Sequence, residues 1–255
     1  MSVRTSIGDR VSHGTCECRA LFNGVCSWSL ARRLARRHES LRRLFRVVGP
    51  LQTEVPRGYS THEGILRAIV SQMVSSKAAA AIRTRLLEKH GSVEAVFRWA
   101  ARGRTPTTPG GGLTLNKRKA LRAWWKHCAE GTQDPAVEWA TLSSADLRKA
   151  VSELYGLGPW SADVLGIFQM GRLDIWPVGD VGLERARAVV FRGMRNREFR
   201  RIIGGYESLV ATYLWEVLNR DLLDAFSSRS KTPGRSSAAA RAHRPSRRRY
   251  AADLA

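Results

Sequence analysis

The sequence predicts an all-α fold, and three observations carry that expectation. Helical periodicity recurs from about Ser29 to about residue 224. No segment in that span alternates apolar and polar residues as a half-buried strand would. The starts at Thr61, Pro159 and Asp180 carry residue types that suit a first helical turn, because they supply a cap or lose no needed N–H. With 255 residues, 43% of them hydrophobic, the chain can bury one sizeable core or two small lobes.

Taken in order, residues 1–28 mix Ser, Gly and Cys without a sustained period and form an N-terminal extension of unassigned order. From Ser29 the residues Leu30, Leu34, Leu41, Phe45 and Val48 share one helical face, while Arg32, Arg33, Arg36, Arg37, Arg42 and Arg43 cover the rest. This is a basic amphipathic helix whose arginines either track phosphates or form a solvated outer face. Gly49-Pro50 ends it, and a turn-rich stretch through Pro56, Gly58 and Tyr59 leads to a cap at Thr61. Helices follow near 62–74, 76–90, 92–102, 116–130, 144–154, 159–170, 181–193, 196–204 and 206–224. The stretch 105–112, TPTTPGGG, is a loop, since its prolines and glycines break helices. Residues 29–225 therefore form the folded domain. Residues 226–255, rich in Ser, Ala and Arg, have too little apolar content to fold and make a disordered basic tail.

A total of 43 Lys and Arg against 22 Asp and Glu leaves a formal charge of +21, which points to a polyanionic partner, nucleic acid first. The four cysteines, Cys16, Cys18, Cys26 and Cys128, are too few and too unevenly spaced for a disulfide framework. His13 beside the first three lacks the paired spacing of common zinc sites, so no metal is expected there. Neither a signal-peptide core nor a membrane-length apolar run is evident. The expected setting is cytoplasmic, at the DNA of the nucleoid. With no heptad repeat the expected state is a monomer.

The most informative segment is Leu154-Tyr155-Gly156-Leu157-Gly158-Pro159-Trp160-Ser161-Ala162-Asp163, which leaves one helix and opens another. Gly156 and Gly158 permit close approach, Leu157 anchors the turn in the core, and Pro159 starts the next helix. The first amides of that helix, with its dipole, suit a phosphate, and the carbonyls of Ser152, Leu154 and Leu157 are candidate ligands for a monovalent cation bridging to it. Taken alone, the pattern equally fits a helix stop followed by a helix start. Beyond the helix comes Asp174-Ile175-Trp176-Pro177-Val178-Gly179-Asp180, so Asp180 is expected about one helix length, on the order of 15 to 20 Å, from the backbone grip.

With these blocks in place the chain resembles the helix-hairpin-helix DNA glycosylase superfamily, most nearly its 3-methyladenine DNA glycosylase II branch. The resemblance covers about residues 57–220. It rests on Ile69-Val70-Ser71-Gln72-Met73-Val74-Ser75-Ser76-Lys77-Ala78-Ala79, on the hairpin, and on Trp176-Pro177-Val178-Gly179-Asp180-Val181-Gly182-Leu183, with weaker support from residues 209–215. It implies a two-lobed helical fold with the active-site cleft between the lobes. The implied activity is base excision from double-stranded DNA with damaged bases.

The resemblance places Asp180 at the catalytic aspartate, where a carboxylate stabilises the positive charge that builds on the sugar and helps activate water. By local pattern alone Asp180 is an ordinary N-cap. Bifunctional relatives carry a lysine two residues after the second glycine. Here that position is Trp160, so the implied reaction is monofunctional, giving free base and an abasic strand without lyase chemistry. No cofactor is implied, because the cysteines of an iron-sulfur cluster are missing after Cys128. Gln72, Met73, Ser75 and Lys77 are implied to face DNA, with Met73 filling the space of the flipped base; ordinary core packing is the other reading of Met73. Trp160 and Trp215 are implied pocket aromatics, and Trp176 is a third candidate. Indole faces favour a cationic alkylated purine of the 3-methyladenine type. The alternatives are a DNA-binding protein of the same fold without activity and a glycosylase for 8-oxoguanine or uracil. The chain departs from the pattern in lacking the β-rich N-terminal domain of some relatives, which leaves the damaged base open.

Overall fold

The computed structural model describes residues 21–22, 24–51, 60–102, 112–130 and 135–227. The extension before Leu21, with His13, Cys16 and Cys18, the loop from 103 to 111 and the tail after Ser227 lie outside the described residues. A short antiparallel pair, β1 (Leu21–Phe22) and β2 (Val25–Cys26), turns at Gly24 and precedes the helices. The fold is otherwise helical. The helices are α1 (Ser27–Leu34), α2 (Glu39–Val48), α3 (Thr61–Ser71), α4 (Ser76–His90), α5 (Val93–Ala101), α6 (Leu115–Glu130) and α7 (Pro135–Trp139). They continue with α8 (Ser144–Ser152), α9 (Pro159–Phe168), α10 (Val181–Val190), α11 (Asn196–Ile203), α12 (Glu207–Asn219) and α13 (Asp224–Ser227).

The predicted basic helix from Ser29 is two helices. His38 breaks it: its backbone is extended and its Nδ1 accepts the N–H of Ser40, which starts α2 afresh. The arginines there are not a free phosphate-tracking face throughout. Arg37 donates to the carbonyls of Ile202 and Gly204 at the end of α11 and lies over the Tyr206 ring. Arg43 donates to the Ala225 carbonyl. Guanidinium groups thus satisfy carbonyls that a helix end leaves without partners.

Apolar side chains gather in two clusters. The first takes α1, α2 and α10 to α13 and is centred on residues such as Phe45, Phe199, Leu209 and Tyr213. The second takes α3 to α8 around Ile65, Phe97, Leu121 and Trp124. Helix α9 belongs to both, with Ala162 and Leu165 in the second cluster and Ile167 in the first. The cluster built from α1, α2 and α10 to α13 and the cluster built from α3 to α8 therefore meet along a single helix. Its mean composition is apolar because it is covered on both sides.

Candidate active site

The hairpin between α8 and α9 is a tight turn in which the Leu157 N–H donates to the Leu154 carbonyl at 3.1 Å. Gly156 has φ +80°, and a Cβ built there would lie 2.5 Å from Cβ of Ala120 on α6. Both conformation and space therefore demand glycine. Leu157, 8% exposed, packs into the second cluster as its position predicts. Gly158 has open space where a side chain would project, and α9 begins at Pro159 with no side-chain cap on its first amides. That end of α9 is shaped for close approach of an acceptor.

Asp180 caps α10, with its Oδ1 accepting the Leu183 N–H at 2.7 Å. Its Oδ2 accepts two indole N–H groups, Trp160 Nε1 at 2.9 Å and Trp215 Nε1 at 3.2 Å. The expected helix-length separation from the grip does not hold. Residues 169–179 bring the chain back beside the start of α9, so the gap is spanned by one indole. A carboxylate offers about four lone-pair sites, and three are occupied here by fixed donors, which sets its direction and leaves room for one more partner.

The loop that carries Asp180 is pinned at several points. Fully buried Ser208, on α12, donates from Oγ to the Ile175 carbonyl and accepts the Ile175 N–H, each at 3.1 Å, and its own N–H donates to the Leu173 carbonyl. Buried Asp163, one turn beyond Trp160 on α9, pairs with Arg148 Nε at 2.7 Å, and the backbone N–H of Val178 lies near enough to favour its charged form. Burial pushes the Asp163 carboxyl above its ordinary range, outweighing the lowering pull of Arg148 and of the Val178 N–H.

The tryptophans divide differently from the expectation. Trp160 and Trp215 converge on Asp180, whereas Trp176 does not line the site. It is 4% exposed, packs edge-on against Phe199 and donates to Glu184. The reason is a contact distant in sequence: Ser208 on α12 fixes Ile175, and Ile175 and Trp176 both lie in the first core. Phe168 takes up the aromatic role instead, stacked on Trp215 with centroids 5.6 Å apart. It lies eight residues after Trp160 and hence on the same face of α9, a spacing that could have revealed it.

The turn between α3 and α4 also departs from expectation in detail. Helix α3 stops at Ser71, because Gln72 leaves the helical region with φ −57° and ψ 128°; Met73 after it adopts φ +56° and is 99% exposed. Core packing of Met73 is thereby ruled out. Gln72 does not project freely: its Nε2 donates to the Gly156 carbonyl at 2.8 Å and to Ser161 Oγ at 3.2 Å. Ser75 caps α4 through the Ala78 N–H, and Lys77 is exposed on its first turn. Met73, Val74, Tyr155, Val178 and Val181 are five of the seven exposed large apolar residues among the described residues, and all lie in the turn, the hairpin, the Asp180 loop or the first position of α10. Apolar exposure is thus concentrated where the three loops meet.

No family model matches the chain. It is 23% identical over 183 residues to the alkylbase DNA glycosidase-like protein mag2 of Schizosaccharomyces pombe, covering 68% of this chain and 85% of that one. It is also 23% identical over 196 residues to DNA-3-methyladenine glycosylase 1 of the same yeast, covering 70% and 82%. The solved Schizosaccharomyces pombe 3-methyladenine DNA glycosylase in complex with abasic DNA superimposes with a TM-score of 0.59 at 21% identity, over 75% of this chain and 97% of that one. The chain has the helix-hairpin-helix DNA glycosylase fold. Its hairpin, caps and converging tryptophans therefore sit in a framework that also occurs in a protein solved on abasic DNA. Among the described residues no helix is long and apolar enough to cross a membrane, and no group of metal-binding side chains converges.

Proposed function

We propose that this protein is a monofunctional DNA glycosylase of base excision repair, which hydrolyses the N-glycosidic bond of alkylated purines to free base and an abasic site. The observation that carries the reading is Asp180, half-buried and held by the Leu183 amide and two indoles beside the hairpin. As the sugar–base bond stretches, positive charge develops on the sugar, and a carboxylate already fixed in direction stabilises it without reorganisation. Its remaining lone-pair site orients the attacking water.

The hairpin amides at Gly158 and beyond grip a phosphate, with a monovalent cation at the carbonyls of Ser152, Leu154 and Leu157 bridging to the same group. Met73 enters the stack where the base has left. The faces of Trp160 and Trp215 receive the extrahelical base, in a cleft between the two hydrophobic clusters. Trp215 contributes one face, since Phe168 covers the other. A cationic purine gains about 0.5 to 2 kcal/mol from such a face, which favours methylated purines over neutral lesions. Trp160 occupies the position of the lyase lysine, so no Schiff base forms and the strand stays intact.

The test is base release from a methylated duplex at low salt by the parent and by Asp180→Asn, each at matched DNA binding. Release by the parent alone, with strand breaks only after alkali, supports the proposal. Binding without release by either protein across a lesion panel overturns it and leaves a DNA-binding protein.

A further inference from the structure

A non-glycine residue at positive φ is costly, and Met73 holds that conformation while almost entirely exposed, so nothing in its own side-chain packing fixes it. The restraint comes from both sides of the turn. Lys117 on α6 is 8% exposed and donates from Nζ to the Val70 carbonyl at 2.9 Å, at the end of α3 where carbonyls lose their helical partners. Burial of an ammonium is unfavourable, as the lowering of its pKa reflects, and the bond it gives the buried Val70 carbonyl offsets that cost. Gln72, directly before Met73, is anchored on the hairpin through Gly156 and Ser161. The same face of α6 carries Ala120, three residues beyond Lys117, which abuts Gly156. One helix face thus supports both the end of α3 and the hairpin.

We propose that Lys117 is a positioning residue for Met73: its buried ammonium caps α3 at Val70 and, with Gln72 tied to the hairpin, holds the turn in its left-handed, outward form, ready to enter DNA. The inference rests on the reading of Met73 as the residue that fills the base stack. It extends that reading by making the entry of Met73 depend on a side chain that never touches DNA. The hairpin's grip on the backbone and the readiness of Met73 are then mechanically linked, because Gln72 and α6 each contact both.

The test uses the full chain and a duplex with 2-aminopurine next to a tetrahydrofuran abasic analogue, whose fluorescence rises when a side chain unstacks the site. It requires no base release, so its outcome is separate from that of the hydrolysis experiment. Lys117→Met and Gln72→Ala are each expected to lower the equilibrium rise about tenfold, the scale of losing a left-handed preference. Lys117→Met should keep affinity for undamaged duplex within about twofold, since the phosphate contacts remain. In a Met73→Gly background, neither substitution should lower the rise further. If Lys117→Met fails to fold, Gln72→Ala at the half-buried end of the brace carries the comparison. If Met73→Gly reduces the fluorescence and both brace variants leave it intact, or if they weaken binding to every duplex equally and additively, the positioning role is overturned. If Met73→Gly itself changes nothing, the stack-filling reading fails, and the role of Lys117 with it.

Discussion

The Asp180 loop and the Met73 turn both bond to the start of α9, yet they are stabilised in opposite ways. The first is drawn inward: Ser208 fixes Ile175, Asp163 lies near the Val178 amide, Trp176 is buried, and Asp180 accepts three N–H groups. The second projects outward with a positive φ and an exposed methionine, its order supplied from behind by Lys117 and Gln72. The difference fits the two tasks proposed for them. A charge that stabilises a transition state gains from immobility and from donors aimed at it beforehand. A side chain that must enter a base stack has to remain uncovered, so it can be restrained only through its backbone.

Breaking the inward loop should have the largest effect. Asp180→Asn keeps the size and the cap acceptor but removes the charge, and base release should fall by about 10² to 10³-fold with affinity for abasic duplex nearly kept, read in single-turnover assays. Gly156→Ala tests the support shared by both regions. A positive φ and a 2.5 Å clash with Ala120 should cost about 2 to 3 kcal/mol of stability, measured by urea unfolding. An unaltered midpoint would mean that α6 does not press on the hairpin as described. Trp160→Phe removes one donor to Asp180 and keeps an aromatic face. Release should drop about tenfold, the scale of one charge-assisted hydrogen bond. No change would assign the orientation of Asp180 to Trp215 and the Leu183 amide.

How far the sequence discloses this arrangement depends on how local each cause is. The hairpin is legible because glycine, proline and an apolar plug act within ten consecutive residues, and Asp180 is legible as a cap from its place before a helical pattern. The break at His38 is hidden although the Ser40 N–H bond to its Nδ1 is local, because histidine is not one of the residue types that announce a cap. Trp176 and Phe168 exchange roles for a different reason: Ser208, on a helix remote in sequence, decides which aromatic faces inward. Met73 is the hardest to foresee. Positive φ is normally announced by Gly or Asn, and in Ser71-Gln72-Met73-Val74 it is imposed by Lys117 and Gln72 through tertiary contacts.

The smallest effect, visible only as a slope, concerns the way Asp163 holds the inward loop. Its folded-state pKa is raised by burial, so just above the ordinary carboxylate range the folded protein keeps a proton that the unfolded chain has released. Stability contributed by this group is therefore greatest at low pH and falls as pH rises through that interval, after which the cost of a buried charge is fully present. Asp163→Asn removes the titration, so the stability of the parent relative to this variant should decline as pH rises through the same interval, measured from urea midpoints at a series of pH values. The opposite slope would mean that Arg148 and the Val178 amide outweigh burial, and that the strap beneath Asp180 is held by charge. On the expected slope, the strap is a hydrogen-bonded contact first and an ion pair second. An inward loop that has to stay still for the proposed catalysis is served by that directional bond, which Arg148 Nε gives to the Asp163 carboxyl at 2.7 Å beneath it whether or not the carboxyl is charged.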